Sequence, residues 1–157
     1  MRRAGFLITT MAATLVVVSG VALAAVIDCT GGLCPGTNNN DTMTGTAGFD
    51  DMRGRDGADR MSARAGNDRL TGGSGGGDEI SGNTDPETVY GGTGTDTVNT
   101  FGGDDVVDVA DGDARDFVDC HIGTNDTVEV DRRLTIFGFR VVDTHQNCEN
   151  VIVRTSF

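Results

Sequence analysis

The segment Gly91-Gly92-Thr93-Gly94-Thr95-Asp96-Thr97-Val98-Asn99 is the clearest copy of a nine-residue unit that runs through most of this 157-residue chain. In this unit the acid Asp96 is followed two places later by the apolar Val98. The same pair returns about every nine residues from Asp41 onward, and the few insertions shift both series together. Shared insertions indicate a structural repeat, so we predict stacked turns that each contribute one core side chain and one carboxylate.

Two series of residues define the repeat. The acids are Asp41, Asp50, Asp59, Asp68, Asp78, Glu87, Asp96, Asp105, Asp116 and Asp126. Their apolar partners are Met43, Met52, Met61, Leu70, Ile80, Val89, Val98, Val107, Val118 and Val128.

Glycines mark the first and fourth places of the unit, as in the pairs Gly54 with Gly57 and Gly91 with Gly94. We expect both glycines to adopt positive φ, so that the chain turns sharply before the acid. The three residues after the acid alternate polar, apolar, polar, which predicts a very short strand with one inward side chain. Such a strand is stable only when similar strands stack above and below it.

The unit from Gly91 to Asn99 resembles the nonapeptide of the repeats-in-toxin (RTX), or haemolysin-type, calcium-binding proteins. The resemblance covers residues 36 to about 130. It implies an all-β fold, a right-handed parallel β-roll (a β-solenoid) in which two nonapeptides make one turn. It also implies several Ca²⁺ ions, which carboxylates and loop carbonyl oxygens hold between successive loops of the same edge.

The resemblance assigns the metal ligands to carboxylates of the acid series. They are Asp41, Asp50, Asp59, Asp68, Asp78, Asp96, Asp105, Asp116 and Asp126. Alternate units would lie on one edge, so that Asp41, Asp59, Asp78, Asp96 and Asp116 are separated from Asp50, Asp68, Glu87, Asp105 and Asp126. The unit with Glu87 departs from the family pattern, because Asp85-Pro86-Glu87 stands where Gly-x-Asp is expected, and we do not expect a normal site there.

The spacing of stacked strands independently suits calcium. Strands lie about 4.8 Å apart, and oxygens on opposite sides of a calcium ion are roughly 5 Å apart. Without an ion, two carboxylates at about 5 Å repel each other by about 1 kcal/mol in water and about 3 kcal/mol at an effective dielectric of 20. One apolar side chain per unit cannot offset this repulsion and the entropy of many glycines. We therefore predict that folding and calcium binding are one event.

The segments outside the repeats predict export and two caps. Residues 1–24 have the pattern of a signal peptide, with Arg2-Arg3, an apolar stretch and the cleavage site Ala22-Leu23-Ala24. The alternative is a membrane anchor, and both the general and the twin-arginine export routes stay open. We expect an N-terminal disulfide-bearing cap over residues 25–35, the β-roll over 36–130 and a C-terminal β cap over 131–157.

The four cysteines of an exported chain predict two disulfides. We expect Cys29 to pair with Cys34 and Cys120 with Cys148, although three connectivities exist for four cysteines. The competing interpretation is a zinc site formed by Cys120, His121, His145 and Cys148.

Composition and motifs narrow the function. A net charge of −12 without any lysine opposes binding to nucleic acid or anionic membranes and favours cations. The sequence contains no His-Glu-x-x-His and no His-Asp-Ser set that spacing would single out, so we do not expect an enzyme, and a small secreted hydrolase or lyase is the least favoured alternative. We predict a secreted bacterial calcium-binding protein that serves as a structural or binding module, without a membrane span once the leader is removed. The main alternative is a calcium-dependent adhesin or carbohydrate-binding protein, whose partner would be a cell-surface glycan or protein.

Overall fold

The structure is a computed structural model that describes residues 23–112, 115–135, 138–141 and 143–156. The predicted signal peptide, residues 1–24, lies outside the described residues except for its last two positions. In the described part of the chain, no helix is long and apolar enough to cross a membrane.

The described residues form fifteen short strands. They are β1 (Val26–Asp28), β2 (Gly32–Pro35), β3 (Thr42–Thr44), β4 (Asp50–Asp56), β5 (Arg60–Ser62), β6 (Arg69–Ser74), β7 (Glu79–Asn83), β8 (Thr88–Thr93), β9 (Thr97–Phe101), β10 (Val106–Asp108), β11 (Phe117–Asp119), β12 (Thr127–Thr135), β13 (Gly138–Val141), β14 (Thr144–Gln146) and β15 (Asn150–Ser156).

Consecutive strands alternate between two sheets. One sheet has the order β1-β3-β5-β7-β9-β11-β14, and the other has the order β13-β12-β10-β8-β6-β4-β2, with β15 also paired to β12. Apart from the antiparallel pair of β12 and β13, which follow each other in the same sheet, the pairing is parallel along both stacks, so each turn of the coil adds one strand to each sheet. The all-β, parallel β-solenoid architecture predicted from the repeat is therefore confirmed.

The register aligns the apolar residues of successive turns. Ile80 in β7 pairs with Val98 in β9, and Val98 pairs with Val118 in β11. All ten apolar partners of the acids are at most 1% exposed. Two columns of stacked side chains, one from each sheet, thus form the core between the sheets, as the alternation of polar and apolar residues predicted.

The C-terminal segment returns to the coil after a hairpin. β12 turns back on itself through the antiparallel strand β13, and the chain then adds β14 to one sheet and β15 to the other. Arg132 and Arg133 of β12 pair with both β13 and β15, so these two strands lie on opposite edges of β12. The strand-type runs after residue 131 therefore supply one further turn of the solenoid as well as a hairpin.

The glycine expectation was wrong at the first place of the unit. Positive φ occurs at the second and fourth places, for example at Gly73 (123°) and Gly75 (129°), and at Gly92 (99°) and Gly94 (130°). Arg55 at the second place also has positive φ, at 85°. The glycine at the first place has a steric role, because a Cβ atom there would collide with oxygens of its own loop and of the next turn.

Both ends of the coil carry a disulfide in this structure. Cys29 is bonded to Cys34 across the connection from β1 to β2, and Cys120 is bonded to Cys148 between β11 and the segment before β15. These are the pairs predicted from the sequence. In this pairing neither Cys120 nor Cys148 has a thiolate for zinc, which counts against the alternative site with His121 and His145.

Candidate metal sites

The acids of the repeat lie in two rows, one along each edge of the coil. The first rim is the row of loops that ends at Asp41, Asp59, Asp78, Asp96 and Asp116, and the second rim is the row that ends at Asp50, Asp68, Glu87, Asp105 and Asp126. All ten side chains are at most 3% exposed. The structure therefore brings together the acids that the sequence assigned to each edge, and it places their carboxylates inside the coil rather than on its surface.

One carboxylate oxygen of most of these acids bonds to the turn before it. In the first rim, Asp59 accepts the backbone N–H of Asp41, Asp78 that of Asp59, Asp96 that of Asp78, and Asp116 that of Asp96, at 2.7–2.8 Å. In the second rim, Asp68 accepts the N–H of Asp50, Asp105 that of Glu87, and Asp126 that of Asp105, each at 2.8 Å. These bonds fix the position of each carboxylate relative to the neighbouring loop.

The other oxygen of many of these carboxylates is buried without a hydrogen-bond partner among the described residues. The atoms concerned are Oδ1 of Asp50 and Oδ2 of Asp59, Asp78, Asp105, Asp116 and Asp126. An anionic oxygen removed from water without a partner is strongly destabilising. A bound cation would remove this penalty wherever such an oxygen lies.

Backbone carbonyl oxygens lie beside the same carboxylates. A Cβ atom added at Gly54 would collide both with the carbonyl oxygen of Gly72, one turn later, and with the unpartnered Oδ2 of Asp59. The glycine therefore leaves room where a carboxylate oxygen and a carbonyl oxygen of adjacent turns converge. Carboxylate and carbonyl oxygens are the donors that calcium prefers.

Side chains alone do not complete such a site. Across the described residues, no three His, Cys, Asp or Glu side chains converge as a metal-binding group. A cation on either rim would therefore need the loop carbonyl oxygens in addition to one or two carboxylates. This donor set suits a hard, oxygen-seeking ion of flexible coordination, such as Ca²⁺.

Electrostatics also favour a cation at the rims. Burial is the main cause that raises the pKa of Asp78 to about 7, and the carboxylates of Asp96 and Asp59 add to it. The pKa of Asp116 rises to about 8, mainly through burial and then through the carboxylates of Asp143 and Asp96. Protons and cations thus compete for the same buried oxygens.

A parallel β-solenoid with rows of buried carboxylates beside carbonyl oxygens has the architecture of a cation-binding repeat protein. The family model of the RTX calcium-binding nonapeptide repeat (4 copies) matches residues 35–70, 44–78 and 81–114. The chain therefore belongs, through residues 35–114, to the family of RTX calcium-binding repeat proteins. No curated protein and no solved structure matches it.

Sequence reasoning missed the acids that close the two rims. Asp143 accepts the N–H of Asp116 at 3.1 Å, and Glu149 accepts that of Asp126 at 2.9 Å. Glu149 precedes Val151 by two places, which is the signal of the repeat, but the hairpin from β12 to β13 hides it by breaking the period. Asp143 is followed two places later by His145, so the apolar partner that would have identified it is missing.

Proposed function

We propose that this chain is an exported protein whose repeat domain folds when it binds several calcium ions, and that it works as a structural or binding module without catalysis. The observation that carries the proposal is that both rims contain buried carboxylate oxygens without a protein partner in the described chain, such as those of Asp59, Asp78 and Asp50. The RTX family assignment identifies calcium as the ion. The ligands would be the carboxylates of Asp41, Asp50, Asp59, Asp68, Asp78, Asp96, Asp105, Asp116 and Asp126, together with loop carbonyl oxygens.

The coupling of folding to calcium follows from the packing. Asp59, Asp78 and Asp96 are stacked, and each is at most 2% exposed, so the coil requires carboxylates to be buried near one another. Deprotonated carboxylates in this arrangement repel each other and have lost their hydration. Each unit offsets this cost with one core side chain, such as Val98 or Ile80. A cation that binds the folded coil and has no site in the unfolded chain shifts the equilibrium toward the fold.

Export is supported by the ends of the chain. The first twenty-four residues have the pattern of a cleavable leader, and the structure contains two disulfides, which persist in oxidising compartments. A chain that leaves the cytoplasm unfolded would meet abundant calcium outside and fold there.

Calorimetry of the mature chain, residues 25–157, tests calcium binding directly. We expect titration with CaCl₂ to show several ions bound per chain, with heat that includes the folding of the coil. MgCl₂ should bind more weakly and should not induce folding, because its shorter bonds and strict octahedral geometry do not match the spacing of the turns. If calcium produced no binding heat, or if magnesium replaced it fully, the proposal would fail.

A second candidate function is calcium-dependent recognition of a glycan on the outside of the coil. A cleft of about 420 Å³ runs over the second rim, and Phe49, Arg69, Pro86, Asp104 and Val106 contribute to its walls. Phe49 is 58% exposed, so its ring is available for stacking on a sugar face. An aromatic ring beside charged hydrogen-bonding groups is a common way to bind a carbohydrate.

A glycan array probed with calcium and with chelator separates the two candidates. Recognition predicts signals that disappear both on chelation and in the variant Phe49→Ala. If the folded protein gave no signal on any glycan with calcium present, the purely structural function would remain.

A further inference from the structure

We call the gap between two successive loops of one rim a step. One loop of the second rim contains a buried side-chain amide at the step between the loops that end at Asp68 and Glu87. Asn83 occupies the second place of its unit, the place that is glycine at Gly73 and Gly92 in the first rim. Only 8% of Asn83 is exposed. Its side chain therefore points into the edge of the coil, where the rim carboxylates lie.

The amide of Asn83 bonds to oxygens from two successive loops. Its Nδ2 atom lies 2.5 Å from Oε1 of Glu87, 3.0 Å from the carbonyl oxygen of Gly66 and 3.2 Å from Oδ2 of Asp68. The backbone N–H of Asn83 donates to the second oxygen of Glu87 at 3.0 Å. One nitrogen atom thus contacts two carboxylates and one carbonyl oxygen, which is the mixture of donors that a calcium ion would use.

The bonds of Asn83 hold its amide in a single orientation. Its Oδ1 atom accepts the backbone N–H of Asp85 at 2.6 Å, so the NH₂ group is directed toward the carboxylates. Asp85 in turn accepts the backbone N–H of Gly66 at 2.9 Å through its own carboxylate. The irregular sequence Asn83-Thr84-Asp85-Pro86-Glu87 is therefore fastened to the previous turn by protein donors alone.

The step at Asn83 differs from its neighbours in the state of the carboxylate oxygens. Asp59 and Asp78 on the first rim, and Asp105 further along the second, each have a buried oxygen without a partner in the described chain. Both carboxylates that flank Asn83 receive hydrogen bonds from its side chain, and neither has such an oxygen. The amide does here what a cation would do elsewhere on the rims.

We propose that the Asn83 side-chain amide takes the place of a calcium ion between the loops that end at Asp68 and Glu87, so that this step of the second rim binds no ion. The inference rests on the proposed function, because it assigns which steps of the rims calcium fills. An amide nitrogen has no lone pair to offer a metal, and a calcium ion needs 6–8 oxygens at about 2.3–2.6 Å. Calcium therefore cannot enter while the amide contacts the same oxygens.

The consequence is a difference between the two rims. The first rim has a continuous series of candidate sites, whereas the second rim is interrupted in its middle by a step that is closed without metal. The turns on either side of Asn83 would remain joined at this point when the calcium concentration falls.

Conversion of Asn83 to aspartate tests the inference in the full mature chain. Asn83→Asp replaces the donating NH₂ group with a carboxylate oxygen among Asp68, Glu87 and the Gly66 carbonyl, so we expect the variant to bind one more calcium ion per chain than the wild type. Asn83→Gly, which installs the residue of the equivalent places in the first rim, should also gain one ion. Asn99→Asp is the matched control, because it adds the same charge on the outer face of β9 and should bind the wild-type number.

The number of ions is read by native mass spectrometry at saturating CaCl₂ and is checked by equilibrium dialysis. If Asn83→Asp binds the same number of ions as the wild type, the inference is wrong, whether or not Asn83→Gly folds. If the wild type itself binds no calcium, the proposed function fails instead. The two failures are therefore distinguishable from one set of spectra.

Discussion

The Oδ1 atom of Asp78 accepts the backbone N–H of Asp59, the equivalent acid one turn earlier, at 2.7 Å. The Oδ2 atom of the same carboxylate is buried and, among the residues described, has no hydrogen-bond partner. One oxygen of the carboxylate thus fixes the stacking of two turns, and under the proposed function the other oxygen would bind a cation. This division of roles would explain why a buried acid recurs in the repeat.

Replacing Asp78 with asparagine should weaken calcium-induced folding. Asp78→Asn keeps an oxygen that can accept the N–H of Asp59 but removes the negative charge, and that charge serves the steps on both sides of Asp78. We expect the calcium midpoint of folding to rise by at least about tenfold, which is about 1.4 kcal/mol. The midpoint is measured by far-UV circular dichroism during a calcium titration.

Glu79→Gln is the matched control for this substitution. Glu79 is the next residue, lies on the outer face of β7 and forms an exposed ion pair with Arg60. Exposed ion pairs contribute little to stability, so the calcium midpoint of Glu79→Gln should differ from that of the wild type by the equivalent of less than about 0.5 kcal/mol. Equal shifts in the two variants would show that net charge, and not the position of the carboxylate, determines the response.

Calcium affinity should increase with pH. Burial, with help from neighbouring carboxylates, raises the pKa of Asp78 to about 7 and that of Asp116 to about 8 in the folded chain, against about 4 in the unfolded chain. Acids with a raised folded-state pKa make the calcium-free coil more stable at low pH, and this stability is lost as the pH rises from about 4 to about 8. Calcium-induced folding starts from the unfolded chain, so the calcium midpoint should fall as the pH rises through about 4, where those carboxylates lose their protons, and should then change little.

The pH prediction is checked by calcium titrations at several pH values. Calorimetry near neutral pH, in buffers with different ionisation enthalpies, should reveal little proton release, because the carboxylates of the unfolded calcium-free chain are already ionised. Substantial proton release near neutral pH would contradict the account, because it would mean that the calcium-free coil is already folded with protonated carboxylates.

Alanine at Gly54, a first-place glycine, should be much more harmful than alanine at Gly48. A Cβ atom at Gly54 would collide with the carbonyl oxygen of Gly72 and with Oδ2 of Asp59, and it would lie 2.8 Å from Cε of Met61. We expect Gly54→Ala to destabilise the calcium-bound fold by about 1–3 kcal/mol, as overpacking usually does. Thermal unfolding with saturating calcium measures the effect.

Gly48→Ala is the control for the glycine substitution. In the described structure a Cβ atom at Gly48 would meet nothing within 4 Å, and Gly48 does not have positive φ. This variant should be neutral or slightly more stable, by up to about 1 kcal/mol, because alanine restricts the unfolded chain. A larger loss at Gly48 than at Gly54 would contradict the arrangement of oxygens around the first glycine.

The two disulfides should differ in their contribution to stability. Cys120 and Cys148 are 28 residues apart, whereas Cys29 and Cys34 are 5 apart. Loop-closure entropy then predicts about 3–4 kcal/mol for the longer loop and about 2 kcal/mol for the shorter one. Double Cys→Ala variants of each pair, unfolded in urea at saturating calcium, compare them. A smaller loss for the Cys120–Cys148 pair would contradict this order.

The sequence predicted the regular part of the fold well, because one rule decides it. In each unit a single apolar residue must face inward, and the resemblance to the RTX repeat adds that two units make one turn, so Met61, Ile80 and Val98 were expected on neighbouring strands. The same resemblance implied which acids share a rim.

The sequence did not predict the features that depend on contacts between turns. Nothing local shows that Asn83 points inward, because its role depends on Asp68 and Gly66 in the previous turn. Asp143 and Glu149 were missed because the β12–β13 hairpin interrupts the period. The first glycine was given the wrong role because the conflict that excludes a Cβ atom involves an oxygen one turn away.

The most direct test of the central claim is to measure the radius of gyration of the mature chain with and without calcium by small-angle X-ray scattering. Stacked turns joined by ions predict a compact, elongated particle at millimolar CaCl₂ and an expanded chain after complete chelation near neutral pH. A radius of gyration that stayed at its compact value after removal of all calcium would contradict the account.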